Sequence, residues 1–226
     1  MKVKNITIFT GHFGSGKTEV AVNFIVKMLG SLKKRALIDI DVVNPYFRAY
    51  QAKKSLENEN IKVISPIFTN TNIDVPSLSP QVTSIIQDNS YEKVIDVGGD
   101  DLGSKVLSTY KDKIEHHEYD MFCVVNTKRL YTNSFEKIAR TVFEIESSSR
   151  LKITGLINNT NLLNETNSED IIEGMAILEK ASKELAIPIV FTTVMANKFD
   201  LKNVLNIDIM EMEQKIKMDL SANSNL

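Results

Sequence analysis

Residues 11–18 read Gly-His-Phe-Gly-Ser-Gly-Lys-Thr, the Gly-x4-Gly-Lys-Thr spacing of a loop that wraps phosphate. The residues on either side give that loop the setting it needs. Val3–Thr10 precedes it with Ile6, Ile8 and Phe9 in a short β-type apolar run, and the helical stretch that follows carries Val20, Phe24, Ile25 and Met28 on one face. Gly11, Gly14 and Gly16 can take positive φ, which lets the backbone close around an anion. Amides of the loop, His12 and Ser15 included, then face the phosphates, where the dipole of the next helix favours negative charge. Lys17 is placed for the β- and γ-phosphates and the Thr18 hydroxyl for Mg2+. A nucleoside triphosphate is the expected ligand.

The chain has 226 residues, 42% hydrophobic and 25% charged, which suits a single α/β nucleotide-binding domain over residues 1–226. A net charge of −2 gives no overall pull toward nucleic acid or anionic lipid. The first residues, Met-Lys-Val-Lys-Asn-Ile, lack the pattern of a signal peptide, and no apolar run approaches a membrane span, so the cytoplasm is the expected location. The single cysteine, Cys123, lies in Met-Phe-Cys-Val-Val and reads as core packing. His116 and His117, adjacent in sequence, read as a solvated helix end rather than as metal ligands.

Strand candidates are 3–10, 35–40, 62–65, 93–97, 121–126, 152–158 and 189–194. Helical candidates are 17–29, 46–59, 77–88, 103–114, 132–147, 168–185 and 208–219. Several strands are continuous apolar runs, as parallel strands covered by helices on both faces should be. The alternation predicts a doubly wound, mostly parallel sheet, with ligands at the carboxyl ends of the strands. Pro66–Pro80, around Thr69-Asn70-Thr71-Asn72, reads as an irregular polar loop above that sheet.

Two acidic strand ends complete the pattern. Arg35-Ala-Leu-Ile-Asp-Ile-Asp41 places Asp39 and Asp41 on one side of an extended chain, where one can serve Mg2+ and one an attacking water; the alternative is that they only cap the helix after Asn44-Pro45. Val94-Ile-Asp-Val-Gly-Gly-Asp-Asp101 ends another strand in Asp96, a carboxylate for the Mg2+ shell. Its Gly99 could meet the γ-phosphate through its N–H. Asp100 and Asp101 also read as caps of the next helix.

In these three segments the chain resembles the CobQ/CobB/MinD/ParA nucleotide-binding superfamily, judged from motif order over roughly residues 3–195. The resemblance implies a Mg2+-dependent ATPase switch with a protein partner. It makes Gly11–Thr18 the Walker A loop, Asp39-x-Asp41 the start of switch I and Asp96-x-x-Gly99 the Walker B and switch II segment. By the same resemblance, Lys17 and Asp41 would be catalytic, and Asn159 in Gly155-Leu-Ile-Asn-Asn-Thr160 would read adenine, with Asn158 as the neighbouring choice. The MinD/ParA branch uses a lysine after the first glycine across a dimer interface; here that place holds His12. The cysteines of the related iron protein are missing, which removes electron transfer.

Two other readings compete. Asn197-Lys198-Phe199-Asp200 spells the guanine-reading tetrapeptide of GTPases, and the loop is also similar to that of GTP-dependent metallochaperones. An ATP-dependent ligase or kinase of the CobB or dethiobiotin synthetase type would instead use the 66–80 loop and Arg48 as an acceptor site. A second polar pocket beside the γ-phosphate would favour that reading. Arg48 is also a candidate arginine finger, although on a helix after a turn an arginine is more often a solvated or paired surface residue.

Overall fold

Along β1 (Ile6–Thr10), Ile6 and Ile8 enter one apolar cluster while Phe9 enters another, so this strand is covered on both sides. The same division runs through β4 (Tyr91–Asp96) and β5 (Tyr119–Val125), where Ile95, Met121 and Cys123 face one cluster and Val94, Phe122 and Val124 the other. Two-sided burial is the reason these strands read as apolar runs. The computed structural model describes residues 3–29, 33–41, 49–64, 79–99, 101–196, 198, 201 and 205–215.

The remaining strands are β2 (Lys34–Asp39), β3 (Ile61–Ile64), β6 (Gly155–Asn158), β7 (Ile189–Met195) and β8 (Ile209–Met212). They form one eight-stranded sheet in the order β3-β2-β4-β1-β5-β6-β7-β8. Every pairing is parallel. The helices α1 (Lys17–Lys27) and α2 (Ala49–Asn58) bury Val20, Phe24, Ile25, Ala52 and Leu56 on one face. The opposite face is covered by α3 (Pro80–Gln87), α4 (Asp101–Ser108), α5 (Lys111–Glu115), α6 (Phe135–Ser149) and α7 (Ser168–Leu185). The fold is therefore the doubly wound α/β sheet expected. Connections leave β1 for β2 on one side and β5 for β6 on the other, so a crevice opens where they part, above the carboxyl ends of β1 and β5.

Three elements differ from expectation. The final helix predicted over 208–219 is not formed in its described part: residues 209–212 are a strand and 213–215 are irregular, with 216–219 outside the described residues. Met210 and Met212 are buried and Glu211 is exposed, the period-2 pattern of an edge strand. The helix predicted over 103–114 is two helices broken at Thr109–Tyr110. Ser108 and Thr109 hydroxyls both bond back to carbonyls three residues earlier, at 2.7 Å, which competes with helix continuation. Residues 152–154 stay outside β6, because Thr154 instead uses its hydroxyl to accept the Met121 N–H at 3.0 Å.

Strand β8 is latched to the helix after the phosphate loop. The buried Asn23 amide on α1 donates to the Glu213 carbonyl (3.0 Å) and its oxygen accepts the Glu213 N–H (2.8 Å). Glu19 accepts the Lys215 N–H at 2.6 Å. Asn23→Ala leaves both backbone groups of Glu213 without these partners, so stability should fall by roughly 1–3 kcal/mol in urea denaturation. A loss under about 0.5 kcal/mol would show that the latch contributes nothing.

At the opposite end of the sheet, the buried Lys93 ammonium donates to Asn5 Oδ1 at 2.5 Å. Burial pulls its pKa down from 10.5 to about 8, against a smaller opposing effect of Asp88. Between these two values the unfolded chain holds a proton that the folded chain has released, so stability rises with pH across that window. Below pH 8 both states are protonated and the burial cost is present in full. Relative to Lys93→Met, wild-type stability should climb by roughly 2–3 kcal/mol between pH about 7 and about 10.5. Parallel pH curves for the two proteins would contradict this.

Candidate active site

The phosphate loop follows β1 and is shaped by three glycines with positive φ: Gly11 (138°), Gly14 (77°) and Gly16 (87°). At two of them the absence of a side chain is obligatory. A Cβ on Gly11 would lie 2.4 Å from the Val124 carbonyl of β5, and one on Gly16 would lie 2.4 Å from Asn159 Nδ2. The loop is thus wedged tightly against the ends of β5 and β6. Gly16 is also the N-cap of α1, with no side chain capping it, an arrangement in which a bound anion satisfies first-turn amides.

Ser15 is oriented in an unexpected way. Its N–H donates inward to the His12 carbonyl at 3.1 Å, while its Oγ is buried and has no hydrogen-bond partner among the described residues. The hydroxyl, not the amide, is what Ser15 can offer a ligand, and a buried orphan donor beside an anion-binding loop suits a phosphate oxygen. Lys17 is buried at the first turn of α1 with Nζ donating to the His12 carbonyl at 3.3 Å.

Asp39 and Asp96 are register partners at the carboxyl ends of the neighbouring strands β2 and β4. They are 4% and 2% exposed, and Thr18 is 6% exposed. Two carboxylates and a hydroxyl make an oxygen donor set of the kind that holds Mg2+ together with substrate phosphates. Asp41 is half-buried just beyond β2, and its N–H donates to Asp39 Oδ1 at 3.0 Å. The segment after β4 closes over the loop. A Cβ on Gly99 would meet Lys17 Nζ at 2.6 Å and the Phe13 N at 2.7 Å, so the Gly99 backbone lies directly on both.

The expected base reader has a different position. Asn159 is 2% exposed, its Nδ2 donates to the Ser15 carbonyl at 2.6 Å, and its Oδ1 accepts from Thr193 Oγ1 at 2.5 Å. Both ends of the amide that sequence reasoning assigned to adenine are engaged inside the protein, and the residue serves as a strut under the phosphate loop. Asn158 is likewise internal, donating to the Ile171 carbonyl at 3.1 Å. Neither bond is legible in the local sequence; both depend on the strand order, which sets β6 beside β5 and β7.

A cavity of about 470 Å3 extends from Gly11 and His12 past Gly98, Gly99 and Ser104 to α6, where Thr141 and Glu144 line it. On the other side of the crevice, the segment between β5 and α6 rises beside the loop, with Tyr131 stacked on His12 at 4.5 Å between ring centroids. Cys123 is fully buried under the site and its thiol is pushed up to about 12 by burial, so it takes no part in chemistry. His116 and His117 follow α5 at the amino end of β5, the opposite pole from the loop. Arg48, Asp100, Asn197, Asp200 and residues 66–78 lie outside the described residues, as does any account of the Asp101 side chain.

No family model matches the chain, and no curated protein matches it in sequence. Solved structures do resemble it. The cell division protein FtsY of Thermotoga maritima is similar at 18% identity and a TM-score of 0.55, over 84% of this chain and 61% of that one. Chloroplast FtsY from Physcomitrella patens is similar at 14% identity and a TM-score of 0.54, over 85% and 58% of the two chains. FlhF complexed with GTP and Mg2+ is similar at 18% identity and a TM-score of 0.54, over 87% and 68%. The chain spans about three fifths of these FtsY structures. At such identities the likeness is one of fold, that of an α/β P-loop NTPase.

Because Gly16 and Asn159 abut, their substitutions should be coupled. Gly16→Ala drives a Cβ into the Asn159 amide and strains a left-handed backbone, with an expected cost of about 2 kcal/mol or more. Removing the amide in Asn159→Ala relieves the clash, so the double variant should be less damaged than the two single losses added together. Strict additivity in thermal or urea denaturation would show that the strut does not bear on the loop.

Proposed function

We propose that the chain is a Mg2+-dependent ATP-binding protein that hydrolyses its nucleotide and acts as a molecular switch of the MinD/ParA-like class. One observation carries the reading: Lys17, Thr18, Asp39 and Asp96, from three separate strand ends, are all buried together around one glycine-rich loop. Structural ion pairs alone rarely gather an ammonium and two carboxylates at a cleft of this topology. The phosphates would lie in the loop, accepting from the Ser15 hydroxyl and from Lys17. Mg2+, held by Thr18, Asp39 and Asp96, would neutralise charge on the phosphate oxygens. Asp41, fixed at its backbone by Asp39, would orient the attacking water.

Gly99 supplies the switching element. Its backbone occupies the ground in front of Lys17 and the Phe13 amide, so a γ-phosphate reaching Lys17 must displace residues 98–99. Around this mouth Phe13, Leu130 and Tyr131 are 57%, 66% and 60% exposed, an apolar rim that a protein partner would cover. His12, in place of the lysine of the MinD/ParA branch, weighs against a homodimer built through that residue.

Two further readings each have one observation in their favour. FlhF in complex with GTP and Mg2+ shares the fold, which together with Asn197-Lys198-Phe199-Asp200 favours GTP. The cavity running from Gly98 and Gly99 to Glu144 leaves room for a small acceptor and so favours phosphoryl transfer.

Calorimetric titration with ATP, GTP and their diphosphates, with and without Mg2+, tests the proposal. ATP should bind in a Mg2+-dependent way, and Lys17→Ala should lower the hydrolysis rate at least about 100-fold. Preference for GTP would transfer the assignment to the second reading. Uptake of neither triphosphate by folded protein would overturn all three.

A further inference from the structure

The crevice that holds the phosphate loop has a second lip, the segment between β5 and α6. Its base is a buried polar frame. Asn126 accepts the Lys128 N–H at 3.0 Å and the Asn161 N–H at 3.2 Å, and its own amide donates to the Asn161 carbonyl at 2.9 Å. The Thr127 and Thr160 hydroxyls bond at 3.0 Å, and Thr132 Oγ1 donates to the Asn126 carbonyl at 2.7 Å. Asn126, Thr127 and Thr132 are each 5% exposed or less. The exposed residues Arg129, Leu130 and Tyr131 are therefore carried on a rigid support rather than on a loose loop.

Two of the three address the phosphate loop. Tyr131 lies flat against His12, with an interplanar angle of 18°. Arg129 Nε lies 3.8 Å from the place of a Cβ on Gly14, and no other heavy atom outside the adjoining residues comes within 4 Å of that place. Neighbouring cations on this surface are matched. Lys128 pairs with Asp170 at 2.7 Å and Glu173 at 3.1 Å, and Arg140 with Glu144 at 2.7 Å. Among the described residues the Arg129 guanidinium has no hydrogen-bond or ion-pair partner. A guanidinium lying beside Gly14 of the glycine-rich loop, with no anion of its own among the described residues, matches a phosphate ligand.

We infer that Arg129 is a catalytic residue supplied in cis, which binds the transferring phosphoryl group from the β5–α6 lip. The assignment rests on the nucleotide reading above and concerns Arg129 alone, since Arg48 lies outside the described residues. In the hydrolytic step the water oxygen bonds to the γ-phosphorus as the bond from phosphorus to the β–γ bridging oxygen breaks. The bonding pair stays on that oxygen as part of the diphosphate. One water proton remains on the released phosphate and the other goes to solvent. Arg129 donates to the oxygens on which negative charge accumulates during this exchange, so it acts on the transition state more than on the bound diphosphate.

Diphosphate affinity of the full chain, with and without aluminium fluoride in Mg2+, separates these effects, read beside single-turnover hydrolysis. Wild type should bind diphosphate at least about 100-fold more tightly when the fluoride is present. Arg129→Ala should keep its diphosphate affinity within about threefold, lose the fluoride enhancement, and hydrolyse roughly 1,000-fold more slowly. Millimolar guanidinium should restore part of that rate, and Arg129→Lys should recover little of it because a point charge cannot reproduce the fork. An intact fluoride enhancement in Arg129→Ala would overturn the assignment and leave the nucleotide reading standing. An equal loss of diphosphate affinity would also overturn it, making Arg129 a simple binding residue. Failure of wild type to take up any nucleotide would instead remove the reading on which the assignment rests.

Discussion

The hydrogen bond from the Asn159 amide to the Ser15 carbonyl, backed by the Thr193 hydroxyl, ties the loop after β1 to the carboxyl ends of β6 and β7. A loop built from three left-handed glycines has little intrinsic preference for one shape, and its closure around an anion must be imposed from outside. Here the imposition comes from below, through Asn159 at Gly16 and the Val124 carbonyl at Gly11. Both contacts require that β1, β5 and β6 lie side by side in parallel, so the sheet order itself holds the shape of the phosphate loop. The close approaches leave no room for any larger residue at either glycine.

On this frame the electrostatics follow from burial. Lys17 and the carboxylates of Asp39 and Asp96 sit where water is scarce, which makes each charge depend on its neighbours more strongly than it would at the surface. The Gly99 backbone lies against the ammonium and against Phe13. A polyanion entering the loop competes for the same space, and the segment after β4 must answer by moving. In the function proposed, recognition and conformational response would be one event at one glycine, with no relay between them.

Much of this could be read along the chain. Strand, glycine loop and helix at residues 3–29 fixed the first unit, and acids at the ends of two later strands located the site. The nearness of Asp39 to Asp96 then needed only the parallel sheet. What escaped had tertiary causes. Ile207 to Met212 satisfies both a helical and an alternating pattern over so short a run, and docking against β7 and α1 decides between them. The bond that holds Asn159 under the phosphate loop exists because Ser15 arrives beside its amide, a contact between residues far apart in sequence. Arg129 stands in Asn-Thr-Lys-Arg-Leu-Tyr without any motif, and its position over Gly14 exists only because β5 neighbours β1. The signal that could have found it is topological: in a sheet that reverses direction at β1, the loop after β5 forms the far wall of the crevice.

The clamp between α1 and the end of the sheet bears on how the protein is made. Asn23 and Glu213 are 190 positions apart, and Glu19 and Lys215 are 196 apart. During vectorial synthesis the helix that begins at the phosphate loop emerges early, and until Glu213 follows, the Asn23 amide has only its partner within the helix, the Glu19 carbonyl at 2.9 Å. A chain interrupted before Glu213 therefore carries the whole Gly-x4-Gly-Lys-Thr loop without its lateral support, and long-range pairing of this kind makes for slow final assembly. A firmly docked α1 thus requires the chain to extend through Lys215, and the docking rests on the side chains of Asn23 and Glu19.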